Sequence, residues 1–218
     1  MQLRRVRTPH GVVAVAELEG AALDAALADL ADAERAHAAG LAEVRRRDFV
    51  RGRVALHGLL EELPLLAGPP PPILSNDRGA PALPEGWVGS ISHKGAFAAA
   101  IVAPADVGFV GVDLELAAPP RADIARRILT PREQAALPDR GRAVTLRFAI
   151  KEAIYKAIDP VLRRYVGFTE VELDVHAGGA CTVTSALPLA IDAAWCEYEG
   201  HWIATAQASR RSTSPSGR

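Results

Sequence analysis

An apolar strand ending in acid-Leu-acid occurs twice in this chain, and each copy runs into a helix-rich segment. The first copy is Gly11-Val-Val-Ala-Val-Ala-Glu-Leu-Glu19 and the second is Gly108-Phe-Val-Gly-Val-Asp-Leu-Glu115. Ala-rich helical sequence follows the first from about Ala21 to Leu66, broken near Gly40; after the second it runs from about Ala122 to Ile158. A strand and a helix each bury one face against a neighbouring layer, so this repetition points to two similar α/β lobes of roughly a hundred residues each. The expected fold class is α/β (α+β), with the lobes in a pseudo-twofold arrangement, residues 1–105 forming one and 106–208 the other.

Local signals fill in the elements. Thr130-Pro131-Arg132-Glu133 supplies a helix N-cap, Pro at N1 and Glu at N3. Pro69 to Pro72 reads as a turn or polyproline spacer, and Asn76-Asp77-Arg78-Gly79 as a turn. Strands are expected at Trp87 to Ile91 and Phe97 to Val102. Further on, Val171 to Val175, Cys181 to Ser185, Ala193 to Glu199 and Trp202 to Ala206 suit an antiparallel sheet with turns at Gly178-Gly179 and Glu199-Gly200. The polar tail from Ser209 to Arg218 is expected to be disordered.

Composition excludes several classes of function. With 49% apolar residues among 218, the chain can bury a sizeable core. Its basic N-terminus lacks the apolar run of a signal peptide, and the most apolar stretch, Ala96 to Val112, is broken by Pro104 and Asp106; a cytoplasmic protein without membrane contact is expected. Cys181 and Cys196 lack the spacing of a disulfide scaffold or a structural zinc site. A formal net charge of −1 argues against nucleic-acid binding through a global positive field. The charge is uneven, because Val44 to Arg53 holds five arginines, a possible local anion site.

Chemistry concentrates in two segments. Along Val107 to Leu116 side chains alternate, sending Val110, Val112, Leu114 and Leu116 one way and Gly111, Asp113 and Glu115 the other. That arrangement sets two carboxylates about 7 Å apart on one face, where repulsion favours a cation or basic groups, unless the face is simply wet. In the helix around Arg147 to Ala157, Leu146, Ile150, Ala153, Ile154 and Ala157 form an apolar stripe, with Phe148, Glu152, Tyr155 and Lys156 roughly opposite. Glu152 and Lys156 make either a helix-stabilising pair or, with the strand acids, a third carboxylate for a hard cation such as Mg²⁺.

These segments resemble motifs of the 4′-phosphopantetheinyl transferase superfamily, in its larger two-lobed Sfp-type members and nearest the enterobactin-synthetase component D branch. The likeness lies in Val110-Gly-Val-Asp-Leu-Glu115, Phe148-Ala-Ile-Lys-Glu-Ala-Ile-Tyr-Lys156, Trp87-Val-Gly-Ser-Ile-Ser-His93 with the preceding Ile73-Leu-Ser-Asn-Asp-Arg-Gly-Ala-Pro81, and Arg164-Tyr-Val-Gly-Phe168. The resemblance implies that family's fold. It also implies transfer of phosphopantetheine from coenzyme A to a serine of an apo acyl, peptidyl or aryl carrier protein, releasing 3′,5′-ADP.

By the same resemblance Asp113, Glu115 and Glu152 would hold Mg²⁺, Glu152 would be the general base, and Lys156 would meet the phosphate and the leaving group. Lys151 would be a lesser helper or a solvated charge. Arg45, Arg53 and His93 would take the 3′-phosphate of coenzyme A, with Ser92, Asn76 and Arg78 also on the cofactor side. Arg46, Arg47 and Arg51 would form a solvated or carrier-facing surface. The family is typically monomeric, each chain a pseudo-dimer. Lys94 departs from the small residue or Cys that follows the histidine in many relatives, and would strengthen nucleotide binding or face the acidic carrier. Leu114 between the acids leaves Glu152 as the third ligand. Competing readings are a catalytically silent coenzyme A or carrier-binding module and a Mg²⁺ phosphohydrolase. Fatty-acid, polyketide, nonribosomal-peptide and siderophore carriers all stay open.

Overall fold

Two antiparallel sheets frame the computed structural model, which describes residues 2–63, 70–121, 123–137 and 141–211. The first contains β1 (Gln2–Thr8), β2 (Gly11–Glu17), β3 (Trp87–Lys94) and β4 (Phe97–Pro104) in the order β1-β2-β4-β3. The second contains β5 (Phe109–Leu116), β6 (Val171–Val175), β7 (Ala180–Ser185), β8 (Leu189–Tyr198) and β9 (His201–Arg210) in the order β5-β9-β8-β7-β6. Between β2 and β3 lie α1 (Gly20–Asp29), α2 (Asp32–Ala39) and α3 (Glu43–Leu60); between β5 and β6 lie α4 (Ala125–Ile128), α5 (Pro131–Ala136) and α6 (Arg142–Leu162). The fold is mixed α+β.

A common unit recurs in both sheets. β2, its helices and the hairpin β3-β4, with β4 returning beside β2, correspond to β5, its helices and the hairpin β8-β9, with β9 returning beside β5. The units diverge by additions: β1 extends the first sheet beyond β2, and β6 and β7 extend the second beyond β8.

Alternation explains the layering. Val13 and Val15 of β2 and Ala99, Ile101 and Ala103 of β4 meet Val110, Val112 and Leu114 of β5 and Ile203 of β9, so the sheets pack face to face through β-branched and small residues. The opposite residues of the first sheet, Ala14, Ala16 and Ala100, lie under Val50, Leu56 and Leu60 of α3. Ala204, Ala206 and Ala208 of β9 lie under Ile150, Ala153, Ile154 and Ala157 of α6. Alanines on these outer faces let both helices approach closely. The edge strands β3 and β5 also meet, since Val112 N donates to Ser90 Oγ at 3.1 Å.

Several boundaries differ from expectation. β1 is invisible to apolar periodicity because Arg4, Arg5 and Arg7 line an exposed edge strand, where charge discourages pairing with other chains. α3 ends at Leu60, and residues 64–69, including Leu66 and Pro69, lie outside the described residues, as does Ala122. α6 continues past Ile158 through Pro160 to Leu162: the proline sits in the last turn, and Arg163, at φ 48°, closes it by donating its N–H to Asp159 O. Leu116, expected in the core, is 44% exposed at the strand end. Ser209 and Arg210, assigned to a disordered tail, instead finish β9, because Ala190 and Leu189 of β8 pair with them; residues 212–218 lie outside the described residues. No described helix is long and apolar enough to cross a membrane.

Candidate functional site

The acidic face of β5 is covered, not wet. At Gly111 a Cβ would stand 1.9 Å from Ala153 O and 2.9 Å from Ala157 N, so only glycine lets α6 lie this close. The close approach brings Lys156 Nζ to Asp113 Oδ1 at 2.7 Å and to Val112 O at 3.0 Å. From β3, Ser92 Oγ donates to the same Asp113 Oδ1 at 2.7 Å. Asp113 is buried, and its Oδ2 has no partner among the described residues. Ser92, expected on the cofactor side, therefore spends its hydroxyl on the acid.

Glu115 is paired with Lys94. Lys94 thus departs from the expected phosphate or carrier contact, because the end of β3 delivers its ammonium to the end of β5. Glu152 stands half-buried on α6; burial, then the charges of Asp113 and Glu115, push its carboxyl above the usual range, while Lys156 opposes them. Among the described residues no three His, Cys, Asp or Glu side chains already form a cation cage. The donor set nevertheless fits a hard divalent cation: three carboxylates face one region, one buried oxygen is unpaired, and Glu152 carries a charge its surroundings disfavour. Lys94 and Lys156 currently neutralise the other two acids.

Lys151 is neither a phosphate helper nor a solvated charge. Its side chain is 0% exposed, and Nζ donates to Glu133 Oε2 at 2.7 Å, Ile128 O at 2.7 Å and Phe168 O at 3.0 Å. Glu133 also completes the capping box of α5 with Thr130 and accepts from Leu173 N at 3.1 Å. The Phe168 ring stacks against Phe148 and Tyr155, with centroids 5.8 and 5.0 Å away, which ties the two aromatic motif positions into one support.

The basic helix α3 divides its arginines. Arg45 is exposed, and its charge reaches His93, whose pKa is lowered by burial and by Lys156 and Arg45 against the opposing pull of Asp48 and Asp113. His93 Nε2 lies 3.1 Å from Asp48 Oδ2. Asp48 escaped the sequence reading, although its place three residues after Arg45 on one helix face was the available signal. Arg53, expected at the 3′-phosphate, is turned inward. It is 4% exposed, bonds Ile73 O, lies 3.8 Å from Glu34 and stacks on Phe49 at 4.3 Å. Burial holds its pKa down at about 10. Arg51 is likewise buried, donating to Leu18 O at 2.8 Å, so it is no solvated surface; Arg47 is exposed and pairs with Glu43.

Asn76 builds its turn, Oδ1 accepting from Arg78 N at 2.9 Å and Ala80 N at 3.1 Å. Arg78 clasps Asp159 of α6 with two nitrogens and so ties the loop to the second sheet's helix. It also lines a cleft of about 460 Å³ together with Val88, Ser90, Tyr155, Lys156, Arg164 and Tyr165. Tyr155 Oη is buried without a partner among the described residues, and Tyr165 is 79% exposed. The cleft therefore joins the lysine on Asp113 to an aromatic and cationic mouth between the two sheets, large enough for a small-molecule chain.

Residues 33–103 match the family model of the 4′-phosphopantetheinyl transferase N-terminal domain, and residues 109–209 match that of the 4′-phosphopantetheinyl transferase superfamily. The chain is 34% identical over 182 residues to the 4′-phosphopantetheinyl transferase Svp of Streptomyces mobaraensis, covering 78% of this chain and 72% of that one. It is 34% identical to the 4′-phosphopantetheinyl transferase PptT of Mycobacterium tuberculosis, over 59% of this chain and 58% of that protein. To the 4′-phosphopantetheinyl transferase Npt of Nocardia iowensis it is 35% identical, over 63% of this chain and 64% of that protein. The match thus spans less than two thirds of the mycobacterial and nocardial proteins.

Proposed function

Because the chain belongs to the 4′-phosphopantetheinyl transferase superfamily, we propose that it moves 4′-phosphopantetheine from coenzyme A to a serine of an apo carrier protein. The products are holo-carrier and 3′,5′-ADP. The observation that carries this reading is the inter-sheet cleft that opens onto Lys156, bonded to Asp113, with Glu152 on the same helix face. We assign residues 1–105 to the nucleotide side and residues 106–208 to the acids and the chemistry, in a cytoplasmic monomer.

Asp113, Glu115 and Glu152 would hold Mg²⁺, with Asp113 Oδ2 the oxygen already free to do so. Bound there, the ion supplies charge neutralisation at the pyrophosphate of coenzyme A. Glu152 takes the proton of the carrier serine as its oxygen forms the new bond to the phosphate of phosphopantetheine. The bond from that phosphate to the bridging oxygen breaks, and its electrons leave with 3′,5′-ADP. Lys156, anchored on Val112 O and Asp113, aims its charge at the oxygens that gain negative charge. Arg45 and His93 remain as the nucleotide-side cation and hydrogen-bonding group, and Arg78 lines the cleft. Ser92 orients Asp113, a positioning role.

The test is intact-mass spectrometry of a panel of apo carriers incubated with the protein, coenzyme A and Mg²⁺. At least one carrier gains a phosphopantetheine, and Glu152→Gln, which keeps shape but not basicity, lowers the rate by about 10² to 10⁴ with the fold retained. Near-normal turnover by that variant removes Glu152 from the proton transfer. No mass gain on any carrier, with binding of coenzyme A intact, favours a silent binding module.

A further inference from the structure

Three residues on one face of β3 engage β5 in sequence. Ser90 Oγ accepts from Val112 N, Ser92 Oγ donates to Asp113, and Lys94 reaches Glu115. Alternate residues of a strand share a face, so the contact between Lys94 and Glu115 is delivered by the same geometry as the two serine contacts. Lys94 thereby sits on one of the three carboxylates assigned to the cation.

The two lysines of the site are held differently. Lys156 has a second anchor on Val112 O and uses only Asp113 Oδ1, the oxygen shared with Ser92, so Oδ2 is free while Lys156 stays in place. Lys94 has Glu115 as its only recorded ion-pair partner among the described residues, and its side chain is 38% exposed, so it can swing into solvent. A divalent cation can therefore enter beside Lys156, whereas at Glu115 it meets the repelling charge of an ammonium held on Oε2, which a cation bound through both carboxylate oxygens must displace.

We propose that Lys94 competes with the divalent cation for Glu115 and sets how tightly the protein holds metal in the absence of coenzyme A. The inference rests on the metal reading above. The ammonium neutralises Glu115 while the cleft is empty, and weak binding to the free protein favours a cation arriving with the pyrophosphate, whose oxygens add ligands and outweigh the lysine. On release, Lys94 leaves a positive charge at the edge of the site, toward the incoming anion.

The experiment titrates Mn²⁺ into the full chain without coenzyme A and measures free Mn²⁺ by electron paramagnetic resonance. Lys94→Ala should bind Mn²⁺ about fivefold more tightly than the parent, the scale of a partly exposed ion pair. Lys94→Arg, which keeps the charge, should stay near the parent. Equal or weaker binding by Lys94→Ala overturns the inference. Asp113→Ala separates the two readings: if it loses Mn²⁺ while Lys94→Ala matches the parent, only the role of Lys94 fails. If Asp113→Ala binds as the parent does, the metal reading fails with it; if no variant binds Mn²⁺ without coenzyme A, the role of Lys94 fails. Binding by Lys94→Ala where the parent shows none supports the proposal.

Discussion

Lys151→Ala is expected to cost stability and not chemistry. The Lys151 ammonium and the Glu133 carboxylate are 0% and 1% exposed and 2.7 Å apart, and burial pushes the lysine pKa down against the opposing pull of Glu133. Truncation leaves Glu133 with N–H donors from Thr130 and Leu173 but without its counter-charge, and it strips a donor from the carbonyls of Ile128 and Phe168. Breaking a buried pair from one side costs about 3 to 5 kcal/mol, a large share of the roughly 5 to 15 kcal/mol that holds a domain folded. Urea unfolding followed by circular dichroism reads the loss directly. The double variant Lys151→Met with Glu133→Gln removes both charges and keeps an N3 side chain able to cap α5, so it should recover a substantial part of the loss, giving a coupling that a solvated lysine cannot produce. The folded fraction of Lys151→Ala should still transfer phosphopantetheine. Stability within about 1 kcal/mol of the parent, together with lost transfer, would refute the argument and return Lys151 to the phosphate.

Two further outcomes follow from other parts of the structure. Gly111→Ala forces a Cβ against Ala153 O, so α6 must move off β5; thermal melting should show about 1 to 3 kcal/mol of destabilisation, and transfer should fall further as Lys156 draws away from Asp113. An alanine variant with unchanged melting and rate would mean that the close approach is unnecessary. At Glu34 burial alone would raise the carboxyl pKa, but His57, Ile73 N–H and Arg53 outweigh it and hold it below the ordinary value. The unfolded chain then takes up the proton first as pH falls, so the stability from Glu34 is present above about pH 4.3 and is lost as acid carries the protein through the lower folded value. Melting temperatures between about pH 6 and pH 3 should fall more steeply in the parent than in Glu34→Gln, and parallel curves would remove Glu34 from acid unfolding.

What could be read without coordinates follows periodicity and local chemistry. The apolar strands β2 and β5, the apolar stripe of α6, the capping box at Thr130 and the turns at Gly178-Gly179 and Glu199-Gly200 depend on neighbours within a few residues, and the structure contains them. β1 is hidden because an edge strand carries charge instead of alternation, and Asp48 because its spacing from Arg45 marks a shared helix face but not the His93 that β3 brings to it.

By itself the sequence determined a repeated strand-helix unit, two acids on one strand face, and a helix with one glutamate and two lysines beside its apolar stripe. Where those charges went was decided only by packing. Lys151 and Lys156 are five residues apart, about 140° around the helix, and nothing local separates their chemistry. One is sealed under α4 and α5 on Glu133; the other borders the cleft on Asp113. Arg45 and Arg53 diverge in the same way, the first into solvent and the second onto Ile73 and Phe49. A long cationic side chain goes where the surrounding layers leave an acid or open water, and those layers come from strands a hundred residues away as readily as from the next turn.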